Sequence, residues 1–340
     1  MSLPVSLTER RRRRARTGLL TIAGLLLILA AVGVDYAGYP YRAPLPGQTG
    51  DRGENGLWLR YTWYFGQHSD ADVSEMAARL WSNRIRYAYF HVRSIERDGR
   101  LRYRYPEAAR RLTTAVHRQA PGVALYAWIY AGNPRGMGRV DLNDPAVRQA
   151  MVAEARWLVT ECGFDGVQWD YEICTDGEWG LIDLLRETRQ ALPAGKGIGV
   201  AAALCAPGLL GTAGYGWSDR YYGQLAALSD QIAVMDYDSA MYLPRAYVGL
   251  TAMQVRHACR AAAARNPGCR ILIGVPTYEK GGASHSAYAE NLGFALRGVR
   301  EGLAELSPEE RATFAGVAPF ADYTTTAADW QAYRNGWLDR

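Results

Sequence analysis

Residues 164–172 of this 340-residue chain read Phe-Asp-Gly-Val-Gln-Trp-Asp-Tyr-Glu, and their alternation is the main guide to the fold. Side chains alternate across a β-strand, so Gln168, Asp170 and Glu172 share one face and the apolar residues between them share the other. The apolar face suits packing against helices, which directs the polar face into the interior of a barrel. Three polar groups at the end of a strand are costly to desolvate unless they have a function.

The chain around this stretch alternates apolar β-like runs with amphipathic helical patterns. Eight strands are predicted, at Gly56–Tyr64, Ile85–Val92, Val123–Tyr130, Phe164–Glu172, Ile198–Leu204, Gln231–Asp238, Arg270–Thr277 and Phe314–Phe320. Each is followed by a helical pattern, so a parallel sheet is expected. Eight units over residues 56–340 predict an α/β protein with a (β/α)8 TIM barrel. A doubly wound sheet is the alternative, but residues 63–67 lack the glycine-rich loop that it needs.

The segment before the barrel predicts a membrane anchor. Six arginines and Glu9 lie within residues 1–17, and residues 18–34 carry no charge. That run is just long enough to cross a bilayer, and the arginines predict a cytoplasmic N-terminus with the remainder extracytoplasmic. The predicted organisation is a basic tail (1–17), a single transmembrane helix (18–34), a linker (35–55) and the barrel (56–340). A signal peptide cleaved near residues 31–33, which makes the protein secreted, and a buried core helix are the alternatives.

Charge and cysteine content narrow the possible partners. The first 17 residues carry +5, which equals the net charge of the whole chain, so the barrel is neutral and nucleic-acid binding is not expected. Five cysteines without a C-x-x-C pair do not predict a metal site. Cys259 and Cys269 either form a disulfide that closes a short loop or remain buried thiols. The oligomeric state stays open.

Two further strands end in residues with chemical potential. The sixth ends in Met235-Asp236-Tyr237-Asp238, and the seventh reads Gly274-Val275-Pro276-Thr277-Tyr278. Aromatic residues lie near the ends of other strands, at Trp63, Tyr64, Tyr89, Trp128, Tyr130 and Phe320. Aromatic surfaces with scattered carboxylates suit sugar rings, whose C–H faces stack on aromatics while their hydroxyls bond to polar groups.

Residues 165–172 resemble the D-G-x-D-x-D-x-E signature of family 18 glycoside hydrolases, the chitinase-like barrels. Residues 235–238 resemble the M-x-Y-D motif of that family, and residues 274–278 resemble its G-x-P-x-Y strand. The resemblance covers the barrel and is sharp at these three places. Two motifs on the fourth and sixth of eight strands, in the right order, make the resemblance specific.

The resemblance implies a substrate-assisted, retaining cleavage beside an N-acetylhexosamine, with no metal or organic cofactor. Glu172 would be the general acid and then the base for water. Asp170 would orient the acetamido group, whose carbonyl attacks the anomeric carbon. Tyr237 would hydrogen-bond the acetamido oxygen, and Asp238 would hold the sugar. Further substrate-binding candidates are Gln168, Tyr278, Trp128 and Phe320.

Three departures from the family pattern keep other functions open. Gln168 stands where the family usually has aspartate, the third strand lacks an S-x-G-G ending, and no eighth-strand tryptophan is evident, so Phe320 or Tyr323 would replace it. One alternative is a non-catalytic glycan-binding barrel. Another is a two-carboxylate glycosidase in which Asp238 or Glu279 assists Glu172.

Several other residues have predicted structural or flanking roles. Asp165 and Asp236 are predicted to be structural, whereas His91 suits either the site or the core. The connection 279–286 is too short for an inserted subdomain, which favours an open groove. Stacking platforms along one side are expected from the loops after the fifth and sixth strands, at Tyr215, Trp217, Tyr242 and Tyr247.

Overall fold

The computed structural model describes residues 7–41, 50–132, 139–206 and 216–338. Its main sheet has eight parallel strands in sequence order. They are β1 (Asn55–Leu59), β2 (Ile85–Ser94), β3 (Ala124–Gly132), β4 (Gly166–Glu172), β5 (Gly197–Ala202), β6 (Gln231–Val234), β7 (Arg270–Pro276) and β8 (Phe314–Phe320). The predicted (β/α)8 TIM barrel is therefore confirmed.

The barrel closes where β8 meets β1. The backbone N–H of Val317 donates to the Asn55 side-chain oxygen at 3.1 Å, and the N–H of Asp322 donates to the Trp58 carbonyl at 3.0 Å. Asn55 is fully buried and also accepts from the Trp337 indole at 2.8 Å. A buried amide with several partners holds the first and last units together because leaving it unpaired would cost free energy.

The described residues form eleven α-helices, and all but the first lie around the sheet. They are α1 (Leu7–Gly38), α2 (Tyr61–Tyr64), α3 (Asp70–Ser82), α4 (Pro106–Gln119), α5 (Pro145–Thr160), α6 (Trp179–Ala191), α7 (Asp219–Ala226), α8 (Pro244–Arg265), α9 (Leu292–Ala304), α10 (Pro308–Thr313) and α11 (Ala327–Gly336). A two-residue pairing, Leu204–Cys205 with Gly216–Trp217, follows β5. Proline at the first turn of α4, α5, α8 and α10 suits positions whose backbone N–H has no helical partner.

Two strands end well before the residues at which their sequence patterns predict an end. The first ends at Leu59, and the aromatic run that follows forms helix α2. The sixth ends at Val234, four residues before Asp238. Asp238 has a φ of 53° and its N–H is bonded to the buried Glu290 carboxylate, which takes this backbone away from the sheet. The sequence also gives no separate prediction of α10, whose capping box joins Ser307 and Glu310.

The N-terminal helix α1 is apolar and exposed. The span Arg16–Gly38 covers 23 residues with a mean hydropathy of 2.4, and none of it is buried. This exposure argues against the buried core helix and leaves the membrane span and the signal sequence, which share this composition. At its end Tyr39 is buried, with the Arg297 guanidinium 4.0 Å from its ring centroid.

The five cysteines are buried thiols. Cys259 and Cys269 are not bonded to each other, and burial raises the pKa of each thiol to about 12. The disulfide interpretation is therefore wrong for this structure, and the buried-thiol alternative is confirmed. Thiols with a high pKa in an apolar setting are unreactive.

Candidate active site

The polar face of β4 points into the mouth of the barrel, as its alternation predicts. Gln168 is fully buried, Asp170 is 3% exposed, and Glu172 at the end of the strand is half-buried. Asp170 Oδ2 accepts a hydrogen bond from the Trp128 indole at 2.7 Å. Its other oxygen, Oδ1, is buried with no hydrogen-bond partner among the described residues. An unpaired buried oxygen of this kind is costly and marks a functional candidate.

The environment keeps both carboxyl groups protonated at higher pH than usual. Burial, and then the charge of Glu172, raises the pKa of Asp170 well above its usual value. Burial, and then the charge of Asp238, raises the pKa of Glu172. Two neighbouring carboxyl groups in a poorly solvated site cannot both ionise easily, so one can hold a proton for donation. The arrangement can therefore perform general acid catalysis.

Aromatic rings surround the two carboxyl groups. Tyr237 stacks on Phe320 with ring centroids 4.5 Å apart, and Phe320 lies edge-to-face with Trp58 and Trp128 at 5.6 and 6.2 Å. Burial, followed by the charges of Asp170 and Glu172, raises the pKa of Tyr237 well above its usual value. The Tyr237 hydroxyl therefore remains a neutral donor beside the carboxyl pair.

Trp58 on β1 is a site residue that the sequence prediction missed. It is 1% exposed, and its indole N–H donates to Gln168 Oε1 at 2.9 Å. Gln168 Nε2 is buried without a partner in the described part of the chain. The alternation of β1 places Gly56 and Trp58 on the same face as each other, and this is the signal that could have identified Trp58. The Trp58 indole thus satisfies the amide oxygen of Gln168, the residue that replaces the aspartate of the family pattern.

The loop after β6 brings Asp238 to the rim of the mouth, and a buried pair holds that loop. Glu290 is fully buried and accepts from the N–H of Asp238, from the N–H of Ser239 at 3.0 Å and from the Ser239 hydroxyl at 2.7 Å. It also lies 3.1 Å from His285 Nδ1. The sequence analysis missed the His285–Glu290 pair because neither residue belongs to a motif and Glu290 lies 52 residues beyond Asp238.

The remaining predicted residues have mixed placements. Tyr278 packs against His285 and Phe320, with centroids at 4.4 and 6.3 Å. Glu279 is exposed. Asp236 is fully buried and accepts from the Thr251 hydroxyl at 2.5 Å, which agrees with its predicted structural role. His91 stacks on Trp128 at 4.0 Å, beside the site.

The predicted stacking platforms are wrong for two residues. Trp217 and Tyr247 are 1% and 0% exposed, and their polar atoms bond to the backbone of Cys174 and Asp236. Trp217 belongs to the short pairing after β5, and Tyr247 belongs to helix α8. Both rings are buried in the protein and do not face the mouth of the barrel. Tyr242 is exposed, and Tyr215 lies outside the described residues. Residues 277–291 contain neither helix nor strand, so the connection after β7 holds no subdomain.

Two clusters within the described residues have the donor types of a cation site. One joins Asp238, His285 and Glu290, and the other joins Cys205, Asp219 and His257. In each cluster the histidine is already within hydrogen-bond distance of a carboxylate.

The fold and site define the molecule as a (β/α)8 barrel with paired carboxyl groups at the C-terminal ends of its strands, where such barrels place their chemistry. Solved structures share this fold. The Bacillus cereus spore cortex-lytic enzyme SleL has a TM-score of 0.55 and 11% identity, over 84% of this chain and 74% of that one. A Chromobacterium violaceum chitinase has a TM-score of 0.55 and 15% identity, over 84% and 100%.

A family 18 chitinase from Cycas revoluta has a TM-score of 0.52 and 14% identity, over 82% of this chain and 97% of that one. No family model matches the chain, and no curated protein matches it. At these identities the likeness establishes the fold. The resemblance to chitinase-like barrels is thus confirmed as a fold shared with divergent sequences.

Proposed function

We propose that this protein is a glycoside hydrolase that cleaves beside an N-acetylhexosamine, with Glu172 as general acid and then base. The observation that carries the proposal is the Asp170–Glu172 pair, whose pKa values are raised in an aromatic mouth. The raised pKa keeps Glu172 protonated for donation to the glycosidic oxygen. Enzymes of this barrel type with N-acetylated substrates, chitinases among them, support the substrate class.

In this mechanism the acetamido group of the substrate is the nucleophile. Asp170, fixed by the Trp128 indole, orients that group and stabilises the positive charge that develops on it. Tyr237 donates to the acetamido oxygen, and Asp238 binds sugar hydroxyls at the rim. After the leaving group departs, Glu172 takes a proton from water, which opens the cyclic intermediate with retention.

Matched oligosaccharides test this function. We expect hydrolysis of N-acetylated chito-oligosaccharides and none of the deacetylated forms, measured by product chromatography. Hydrolysis of both forms would instead favour a two-carboxylate glycosidase with Asp238 as the partner of Glu172. Binding without hydrolysis would favour the non-catalytic barrel. The presence of Glu172 argues against that function.

Helix α1 supports a proposal about the location of the protein. We propose that α1 anchors the protein in a membrane with its arginine-rich end in the cytoplasm and the barrel outside, where polymeric glycans occur. The exposed barrel should be degraded by protease added to intact cells, while a reporter fused before Arg10 is protected. Release of the barrel into the medium without residues 1–34 would favour cleavage as a signal peptide.

A further inference from the structure

A second cavity adjoins the candidate active site at the ends of β2 and β3. Its volume is about 550 Å³, which lies in the range of small-ligand pockets. Its walls include Tyr130 and Gly132 of β3 and His91 of β2. No residue of the three sequence motifs lines it.

The walls of this cavity touch the catalytic strand directly. In the β3–β4 register Tyr130 pairs with Asp170, and Gly132 pairs with Glu172. The charges of Glu172 and Asp170 contribute, after burial, to a raised pKa of Tyr130. A glycan that extends sideways from the carboxyl pair would therefore place a neighbouring sugar in this cavity.

The charge of the cavity is strongly positive although the barrel as a whole is neutral. Its lining contains Arg93, Arg97, Arg102 and Arg139, and the one acidic lining residue is Glu96. Arg102 pairs with Glu96 at 3.4 Å. Within the described ranges, the other three arginines have no carboxylate within ion-pair distance. These three guanidinium groups are thus available to an anion.

Two features prepare the cavity for a polar ligand. The Arg93 guanidinium lies over the Tyr61 ring, 4.6 Å from its centroid, which restrains its long side chain. His91 Nε2 is buried without a hydrogen-bond partner among the described residues. Burial, and then the charge of Arg93, lowers the pKa of His91 to about 3, so this imidazole is neutral and can bond to a hydroxyl.

We infer that this cavity binds a carboxylate-bearing sugar, so that the natural substrate is an acidic N-acetylhexosamine glycan. Arginine forks recognise carboxylates through paired, charge-assisted hydrogen bonds. The inference rests on the proposed function, because it assumes that a glycan lies across Glu172. The carboxylate can come from a lactyl ether on the amino sugar or from a uronic acid, and the substrates below separate these sources.

Three tetrasaccharides give a sharp comparison. Chitotetraose is neutral, a tetrasaccharide of alternating N-acetylglucosamine and N-acetylmuramic acid adds lactyl carboxylates, and one of alternating N-acetylglucosamine and glucuronic acid adds uronate. We expect a higher kcat/KM for one acidic substrate than for chitotetraose, with a preference that weakens as salt is added. The acidic substrate with the higher value identifies the source of the carboxylate.

Arginine variants test the cavity itself. Replacing Arg93, Arg97 and Arg139 by glutamine should lower the ratio of acidic to neutral kcat/KM on the order of 10- to 100-fold. A matched control is the arginine-lined cavity between α3 and α4, which holds Arg110, Arg111 and Arg118 in the helix layer. The same triple change there should leave the ratio unaltered. Arg97→Gln alone, at an exposed position, provides the test if the triple variant does not fold.

The failure of this inference can be told apart from the failure of the proposed function. Calorimetric binding to the Glu172→Gln variant measures affinity without turnover. Hydrolysis of all substrates without a charge preference would overturn the acidic subsite and leave the glycosidase standing. An acidic tetrasaccharide could bind more tightly than chitotetraose, lose that advantage in the arginine variant, and yet not be hydrolysed by the wild type. That result would overturn the glycosidase function and leave the acidic subsite standing. Equal loss of the acidic and neutral activities in both triple variants would also overturn the subsite.

Discussion

The two ends of strand β4 hold carboxylates in contrasting environments. Before its first residue, Asp165 accepts from His117 at 2.7 Å and from the Leu125 N–H at 2.9 Å, and it lies 3.5 Å from Lys196. Near its last residue, Asp170 has one oxygen bonded to Trp128 and the other buried without a partner in the described chain. The first carboxylate is well satisfied and joins elements together, whereas the second costs stability.

The contrast separates a residue that supports the stability of the barrel from a residue proposed to support its activity. In (β/α)8 proteins the N-terminal ends of the strands support stability and the C-terminal ends carry chemistry. Asp165 and Asp170 are five residues apart, so one strand carries a stabilising carboxylate at one end of the barrel and a candidate catalytic carboxylate at the other. Substitutions at the two ends should therefore separate activity from stability, and the predictions below exploit that difference.

The largest expected effect is that of Glu172→Gln on hydrolysis. The amide cannot donate or accept the catalytic proton, so kcat should fall on the order of 10²- to 10⁴-fold. Thermal unfolding should change little because the side chain is half-buried at a strand end. Kinetics with the best N-acetylated substrate and a melting curve check both points. A variant with the wild-type rate would remove Glu172 from the acid role.

A large effect on activity with the opposite effect on stability is expected for Asp170→Asn. Losing the charge that stabilises the reacting acetamido group should lower kcat on the order of 10²- to 10³-fold. The folded-state pKa of Asp170 is raised above its usual value of 3.8, so ionisation destabilises the fold as pH rises from there through the raised value.

Urea unfolding of the Asp170→Asn variant and the wild type at several pH values measures this stability difference. Asparagine keeps an oxygen for the Trp128 indole but does not ionise. The unfolding free energy of the variant, relative to the wild type, should therefore increase with pH across that window. A difference that stays constant with pH would show that the Asp170 carboxylate is not costly in the fold.

An intermediate effect is expected on the pH dependence of catalysis. As the proposed general acid, Glu172 must be protonated to act, and its pKa is raised above the usual 4.5, so the alkaline limb of kcat should lie above that value. Asp238→Asn removes a charge that raises this pKa, and the limb should move to lower pH. A pH–rate profile of each protein measures the shift, and a limb that is unmoved or moves upward would contradict the assigned coupling.

The smallest effect on activity is expected at the other end of the strand. Asp165→Asn removes the charge opposite His117 and Lys196 while keeping an acceptor for the Leu125 N–H. We expect the unfolding free energy to fall by about 1–2 kcal/mol, with kcat/KM close to that of the wild type. Denaturant unfolding and kinetics on the same preparation test this pair of outcomes. A large loss of activity without a loss of stability would erase the contrast between the two ends.

Much of the candidate site could be predicted from local patterns. The period of two in residues 164–172 placed Gln168, Asp170 and Glu172 on one face, and the structure turns that face into the mouth. Tyr237, in the loop after β6, and Phe320, at the end of β8, also meet there as stacked rings. Parallel strands in a barrel bring their C-terminal ends together, so residues at strand ends converge without any knowledge of contacts.

The parts that could not be predicted depend on partners distant in sequence. The Trp58 indole reaches Gln168 across 110 positions, and Glu290 holds the N–H of Asp238 across 52. The end of β6 was placed too late because the Glu290 contact draws that backbone out of the sheet. The net charge of the barrel also gave no sign of the positive cavity, because the charges of its arginines are offset by acidic residues elsewhere on the barrel.

By itself the sequence determined the parallel eight-unit barrel, the apolar N-terminal helix and the inward face of β4, because these follow from periodicities and hydropathy that act over a few residues. The tertiary structure decided which atoms at the mouth lack partners, how the loop after β6 is held and where Arg93, Arg97 and Arg139 meet. Those features arise from strand register and loop contacts, and the resulting desolvation and charge depend on every element around them.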